Sequence, residues 1–187
     1  MFAPERRWGN FWSVGAAWNM GEEVWFKSAL GRVVNDAKLK VSYGTQGNDG
    51  ILDSDGYRIY APYLDHYTIK NSGTAESPEF SVVRSYRGNR DITWEKSKTF
   101  NIGIEAGLFG RRLTFEFDYF IKNTDDMLGW HTLPLSGGEP NRILTNEQAM
   151  RNTGVELMLN GVLWQSKDIR WTATLNLTHY KNELTRL

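Results

Sequence analysis

Cysteine is absent from the 187 residues. A disulfide framework, a thiolate metal site and a cysteine nucleophile are thereby excluded, while the compartment stays open between cytoplasm and an envelope without staples. No uninterrupted apolar run long enough for a transmembrane helix occurs. That absence does not touch a β-barrel, whose strands alternate apolar and polar residues, so the mean hydropathy of −0.51 is no sign of solubility. An excess of one charge is missing too. The 22 basic and 22 acidic residues cancel, leaving no net attraction for nucleic acid or an anionic membrane. Met1 to Arg7 lacks the apolar core and small-residue cleavage site of a secretory leader, so an exported protein would carry its leader outside these residues.

What is present is aromatic and alternating. Aromatics make up 13% of the chain and, with 18 glycines, fall in segments of period two, the strand signal. From Phe11 to Met20, Trp12, Val14, Ala16 and Trp18 alternate with small or polar residues. Glu22 to Leu30 breaks the pattern, with Val24, Trp25, Phe26 and Leu30 spaced as in a short helical connector ending at Gly31. Lys38 to Tyr43 resumes it, and Gly44 to Asp91 then reads as a long loop rich in Gly, Ser, Asp and Asn.

Two hairpins follow. Phe100, Ile102, Ile104 and Ala106 form the apolar phase of one strand; after a turn at Gly110 to Arg112, Leu113, Phe115, Phe117, Tyr119 and Ile121 form that of the next. The second hairpin places Val155, Leu157 and Leu159, a turn at Ser166 to Asp168, then Trp171, Ala173, Leu175 and Leu177. Glu105, Glu116, Asp118 and Glu156 all lie on the opposite phase. Each hairpin ends alike, Tyr119 before Lys122-Asn123 and Tyr180 before Lys181-Asn182, a weak internal repeat. Gly44 to Asp91 and Asn123 to Met150 read as long connections alternating with tight turns. That is the asymmetry of outer-membrane barrels, with long loops outside the cell and short turns in the periplasm.

Alternation has two readings. In lipid every backbone amide and carbonyl must find a partner, so a strand pairs on both sides and turns its apolar face outward. In a soluble β-sandwich the apolar face is instead buried under a second sheet. Trp94, Tyr119, Trp171 and Tyr180, read as strand-end residues, suit an interfacial girdle and favour the barrel.

Several strings add a resemblance. Arg7-Trp8-Gly9-Asn10-Phe11-Trp12-Ser13-Val14-Gly15, Leu39-Lys40-Val41-Ser42-Tyr43-Gly44-Thr45-Gln46-Gly47-Asn48 and Thr93-Trp94-Glu95-Lys96-Ser97 stand in order. Asp118-Tyr119-Phe120-Ile121-Lys122-Asn123-Thr124-Asp125-Asp126-Met127-Leu128, Asn152-Thr153-Gly154-Val155-Glu156-Leu157 and Leu175-Asn176-Leu177-Thr178-His179-Tyr180-Lys181-Asn182 follow them. Together these resemble the SusC/RagA-type TonB-dependent transporters of the Gram-negative outer membrane. The resemblance implies an all-β fold: an antiparallel meander of about six transmembrane strands from a large barrel of the 22-stranded type. Residues 1–187 are then expected to be part of that barrel, with plug domain, signal peptide and final strand outside them. It further implies import of glycans or peptides, a SusD-type surface lipoprotein as lid, coupling to the TonB complex through the plug, and contact with outer-membrane lipid.

Signs of other chemistry are few. His66, His131 and His179 show no ligand spacing, and Gly44, Gly47 and Gly50 precede no phosphate-facing helix. Asp49, Asp53 and Asp55 with Gly56 miss the EF-hand register at Ile51 and Pro62, leaving a looser calcium site in the 47–56 loop beside a plain Asp/Gly turn. Glu22-Glu23 and Asp125-Asp126 are sequence neighbours rather than facing carboxylates. No enzyme and no cofactor are read here, so a β-rich hydrolase lacks its nucleophile. The remaining candidates for substrate or lid contact are Tyr57, Tyr60, Tyr63 and Tyr67, against ordinary loop packing. The alternative to a transporter is a soluble carbohydrate-binding β-sandwich using those tyrosines.

A sheet of about six strands cannot close, since the smallest closed barrels take about eight. Expressed alone, the chain should therefore give inclusion bodies or detergent-dependent oligomers, through two open edges and an uncovered apolar face. A cooperatively melting monomer in detergent-free buffer would favour the sandwich instead.

Overall fold

The computed structural model describes residues 2–52, 56–74 and 76–187. Its elements are β1 (Ser13–Trp18), α1 (Val24–Leu30), β2 (Val34–Asn48), β3 (His66–Asn71), β4 (Phe80–Tyr86), β5 (Glu95–Leu108), β6 (Leu113–Thr132), β7 (Arg142–Gln165) and β8 (Arg170–Arg186). Six strands pair antiparallel in the order β1-β2-β5-β6-β7-β8, and β3 and β4 form a separate hairpin. The larger sheet is open, with β1 and β8 at its edges.

Among the described residues no second sheet covers its apolar phase. Val14, Trp18, Leu175 and Leu177 are each about half exposed or more, so the sandwich alternative fails: the face a sandwich would bury is bare. The strands are also long, β6 having 20 residues and β7 having 24. About ten residues span a bilayer, so the upper halves of both continue beyond it as a projecting ribbon.

These lengths correct two expectations. Most of Asn123 to Met150 is strand rather than loop, because the ladder between β6 and β7 continues to Thr132 and Arg142 past bulges around Met127. Within Gly44 to Asp91, β2 runs on to Asn48 and the β3–β4 hairpin occupies residues 66–86. Polar, glycine-rich composition hid both, since outside the membrane neither phase needs to be apolar.

The apolar positions of the outer face form a band that descends across the sheet. Val14, Tyr43, Phe100, Ile121, Thr153 and Lys181 share one cross-strand row. The band begins one row above it at Trp12, whose carbonyl accepts from the Thr45 amide. It begins at that row on β2, β5 and β6, one row below at Val155 on β7, and two rows below at Leu177 on β8. From β1 to β8 the border thus drops about six residues, about 20 Å, over a sheet about 24 Å wide. That slope puts the strands at about 40° to the band's normal, the tilt of closed barrels. It also explains why His179 and Lys181 share the outer phase with leucines: on β8 they stand above the band.

Aromatics mark the borders. Trp12 and Tyr43 lie 5.5 Å apart at the upper edge, and Trp18 meets Trp25 of α1 at 6.2 Å at the lower one, where Trp164 also pairs with Trp171. The girdle read from sequence needs two changes. Tyr119 is mid-strand, one row inside the upper border, and Tyr180 falls on the inner face opposite Gly154.

The two ends differ. Residues 109–112 and 166–169 close hairpins at the lower end, where residues 19–33 also fold around α1. Phe109, Gly110 and Arg111 all take positive φ, and the Asn35 side-chain oxygen accepts from the Gly110 and Arg111 amides at 2.6 and 3.2 Å, latching the turn to β2. At the upper end Phe2, Ile51, Ile92 and Leu144 form a small core, flanked by Ile59, Trp94, Leu128 and Trp130. Asn146 fastens it, its amide nitrogen donating to the carbonyls of Thr93 at 3.0 Å and Asp126 at 2.7 Å.

Two outcomes test the band. Ile104→Arg, mid-band on β5, should destabilise the full-length protein in bilayers by about 2–4 kcal/mol in denaturant titrations. Polarity-sensitive probes on single cysteines should report lipid at Ile102 and Tyr119 but water at His179, although the three share a row. One environment at all three positions would refute the tilt.

Candidate functional site at the loop end of the barrel wall

The inner face carries a charge cluster. Glu105 and Glu116 are register partners on β5 and β6, and like charges so placed repel. Lys40 of β2 relieves this, its Nζ lying 2.6 Å from each and 3.8 Å from Asp118. The lysine reaches across Gly103, its own register partner. A Cβ there would collide with the Asp118 carboxylate and lie 3.2 Å from the Phe117 carbonyl oxygen. Gly103 is therefore a gap the cluster needs, and a polar replacement is not the mild change that its facing alone suggests. Glu156 pairs with Asp118 in register and makes no ion pair among the described residues.

A half-open cavity lies at the other level, above the band. A cavity of about 420 Å³ opens between the β3–β4 hairpin and the tip of the β6–β7 ribbon. Arg58, Arg87 and Arg142 line it together with Tyr60, Tyr86 and Trp130, and among the described residues no carboxylate does. Each residue has a local reason to be there. Trp130 and Arg142 face one another near the ribbon tip, the guanidinium 4.5 Å over the indole. Tyr86 ends β4, its ring 5.8 Å from Trp130 at 78° and its hydroxyl donating to the Pro62 carbonyl at 3.1 Å. Burial pushes the Tyr86 phenol up to about 12. Arg87 follows and donates to the Gly137 carbonyl at 2.6 Å, tying hairpin to ribbon.

Asp65 holds the base of the hairpin. It accepts from the Gly88 amide at 2.8 Å and faces Arg84 at 3.4 Å. The Gly88 hydrogen bond, followed by the Arg84 guanidinium, keeps its carboxyl below the usual aspartate range. Gly88 is required there, because a Cβ would strike the Leu64 backbone.

The tyrosines read from sequence do not act as one platform. Tyr60 lines the cavity, whereas Tyr57, Tyr63 and Tyr67 do not. Tyr57 and Tyr67 are exposed, Tyr63 is half-buried, and the Tyr67 hydroxyl reaches Asp65 at 3.4 Å. Tyr86, Trp130 and the arginines carry no local sequence signal for this site, since residues 130 and 142 meet residues 58–87 only through the tertiary fold. Of the acids considered for calcium, Asp49 pairs with Arg58 at 2.5 Å, and Asp53 and Asp55 lie outside the described residues. His66 lies 5.1 Å from the Tyr86 ring, and His131 faces Glu147 at 3.3 Å.

Comparison with known proteins decides the family. The TonB-dependent receptor-like β-barrel model matches residues 2–186. The chain belongs to the TonB-dependent receptor β-barrel family. It is 30% identical over its whole length to the TonB-dependent receptor SusC of Bacteroides thetaiotaomicron, covering 18% of that protein. It is 32% identical to the TonB-dependent receptor P39 of Formosa agariphila, covering 17%. A structure of the RagAB peptide transporter superposes over the whole chain with a TM-score of 0.82 at 33% identity, covering 19% of that chain. The chain thus spans under a fifth of these relatives' length. Its sheet is barrel wall of the outer membrane, and the relatives are receptors and transporters rather than enzymes.

The hairpin dock is testable through Asp65. A carboxyl depressed in the folded state stabilises above its ordinary value of 3.8 and loses that contribution as pH falls through the depressed value. Asp65→Asn at neutral pH, or acidification of the native receptor below that range, should raise protease cleavage within residues 71–79. Tyr86→Phe should have a similar but smaller effect, about 0.5–1.5 kcal/mol, because it removes one of two hydrogen bonds to the Pro62 carbonyl and leaves the one from the Asn89 amide at 3.0 Å. Cleavage that ignored both pH and mutation would show that the hairpin is held otherwise.

Proposed function

We propose that these strands are part of the wall of a larger TonB-dependent barrel, of the 22-stranded type with an internal plug, that imports glycans or peptides through the outer membrane. A SusD-type surface lipoprotein closes the mouth, and TonB acts through the plug. The observation that carries the reading is the tilted apolar band with a structured crown above it: a wall that fits lipid at barrel tilt and holds folded loops at one rim. Family membership and the likeness to SusC and to the RagAB peptide transporter support it. On the inner face, the Lys40 cluster suits contact with a hydrated plug rather than an empty channel.

Tyr60 is the one candidate tyrosine with a cavity wall to offer substrate or lid. The full-length receptor, tagged and solubilised in mild detergent, is expected to co-purify with a surface lipoprotein. Cells lacking the receptor are expected to lose uptake of one class of oligosaccharide or oligopeptide while keeping others. Purification without a lipoprotein, combined with unchanged uptake across both classes, would refute the proposal.

A further inference from the structure

The crown cavity has a chemistry of its own. Three guanidinium groups converge on it without a lining carboxylate among the described residues. Only Arg58 is neutralised, by Asp49; Arg87 spends one nitrogen on the Gly137 carbonyl, and Arg142 rests on Trp130 with no ion pair among the described residues. The Nε of Arg87 is buried and has no hydrogen-bond acceptor among the described residues. That nitrogen is shielded from the cavity by protein, so a ligand would meet the terminal guanidinium nitrogens of Arg87 instead. Like-charged groups gathered at partial burial repel, and a bound anion relieves that repulsion while making charge-assisted hydrogen bonds in the geometry guanidinium favours.

The rest of the lining restricts what carries the anion. Tyr60 is 74% exposed at the rim, and Tyr86 and Trp130 stand edge-to-face inside. Aromatic surfaces set beside arginines suit a rigid ring that offers an apolar face and an anionic group in fixed relation. A flexible acidic side chain would use the arginines and leave the rings idle. The volume of about 420 Å³ lies at the small end of ligand sites.

We propose that this cavity is a binding subsite for an acidic sugar, a hexuronate unit of an incoming glycan, with Arg142 and Arg87 taking the carboxylate and Tyr60 stacking on the ring. The inference rests on the transporter reading for its placement outside the cell, and it narrows the substrate class within that reading.

The test uses the full-length receptor with whatever lipoprotein accompanies it. Trigalacturonate, maltotriose and triglutamate are titrated while intrinsic tryptophan fluorescence is followed, with calorimetry as a second readout. Saturable binding of trigalacturonate is expected, with no binding of maltotriose and at least tenfold weaker binding of triglutamate. Arg142→Gln and Arg87→Gln should each weaken trigalacturonate about tenfold or more, and Tyr60→Ala about threefold. Resistance of each variant to unfolding in detergent shows that the barrel is intact. Arg58→Gln, whose guanidinium already has a partner, should have the smaller effect and serves as a variant less exposed to misfolding.

Triglutamate bound as tightly as trigalacturonate would overturn the proposal in favour of an acidic peptide site. Maltotriose bound equally well would overturn it in favour of a neutral glycan. Absence of binding by all three, or binding indifferent to every arginine variant, would also overturn it. Lipoprotein co-purification and uptake are scored separately, so failure here leaves the transporter reading standing, and failure there is seen independently.

Discussion

Everything in this sheet depends on the backbone having nowhere but another strand to place its hydrogen bonds. Lipid offers no donor or acceptor, and each unsatisfied amide or carbonyl costs several kcal/mol. The result is a continuous antiparallel ladder from β1 to β8 in which chain neighbours are spatial neighbours except where the β3–β4 hairpin interrupts. At β1 and β8, the outer strands of this sheet, the same constraint calls for further strands beside them. Once the ladder is imposed, side chains have only two faces, and the outer one must match the lipid. The descending apolar band is that match, and its slope is the strand tilt.

Leaving the membrane releases the chain from this rule, and its character changes at once. Above the band β6 and β7 keep pairing through bulges, but their side chains now form a small core of the ordinary kind with Phe2, Ile51 and Ile92. Asn146 and Asn89 contribute side-chain hydrogen bonds to loop and strand carbonyls. The crown is thus a water-soluble miniature built on a lipid-soluble wall. It is where the chain can afford irregular backbone, a concentration of arginines and a cavity.

The inner face obeys a third set of demands. It meets neither lipid nor bulk solvent alone, so charges persist but need compensation. Glu105, Glu116 and Asp118 crowd together because antiparallel register places them so; the Asp118 carboxylate lies over Gly103, and Lys40 compensates for all three acids. A glycine that looks like a simple polar-phase spacer in the sequence therefore makes room for the Asp118 carboxylate beside the lysine of β2.

The sequence alone determined the strands of the membrane level, because lipid enforces a period of two and an apolar phase that can be read residue by residue from Phe100 to Leu108 or Leu113 to Ile121. It also determined the family, through strings such as Asp118 to Leu128, and the helical connector before Gly31. It did not determine where strands end outside the bilayer, since the polar stretches of β6 and β7 carry no such period. Nor did it show that Tyr180 points inward or that His179 clears the lipid, which follow from register and tilt across all six strands. The cavity was the least legible part. Arg58, Tyr86, Trp130 and Arg142 are distant in the chain, and only the docking of the β3–β4 hairpin against the β6–β7 ribbon brings their side chains around one space.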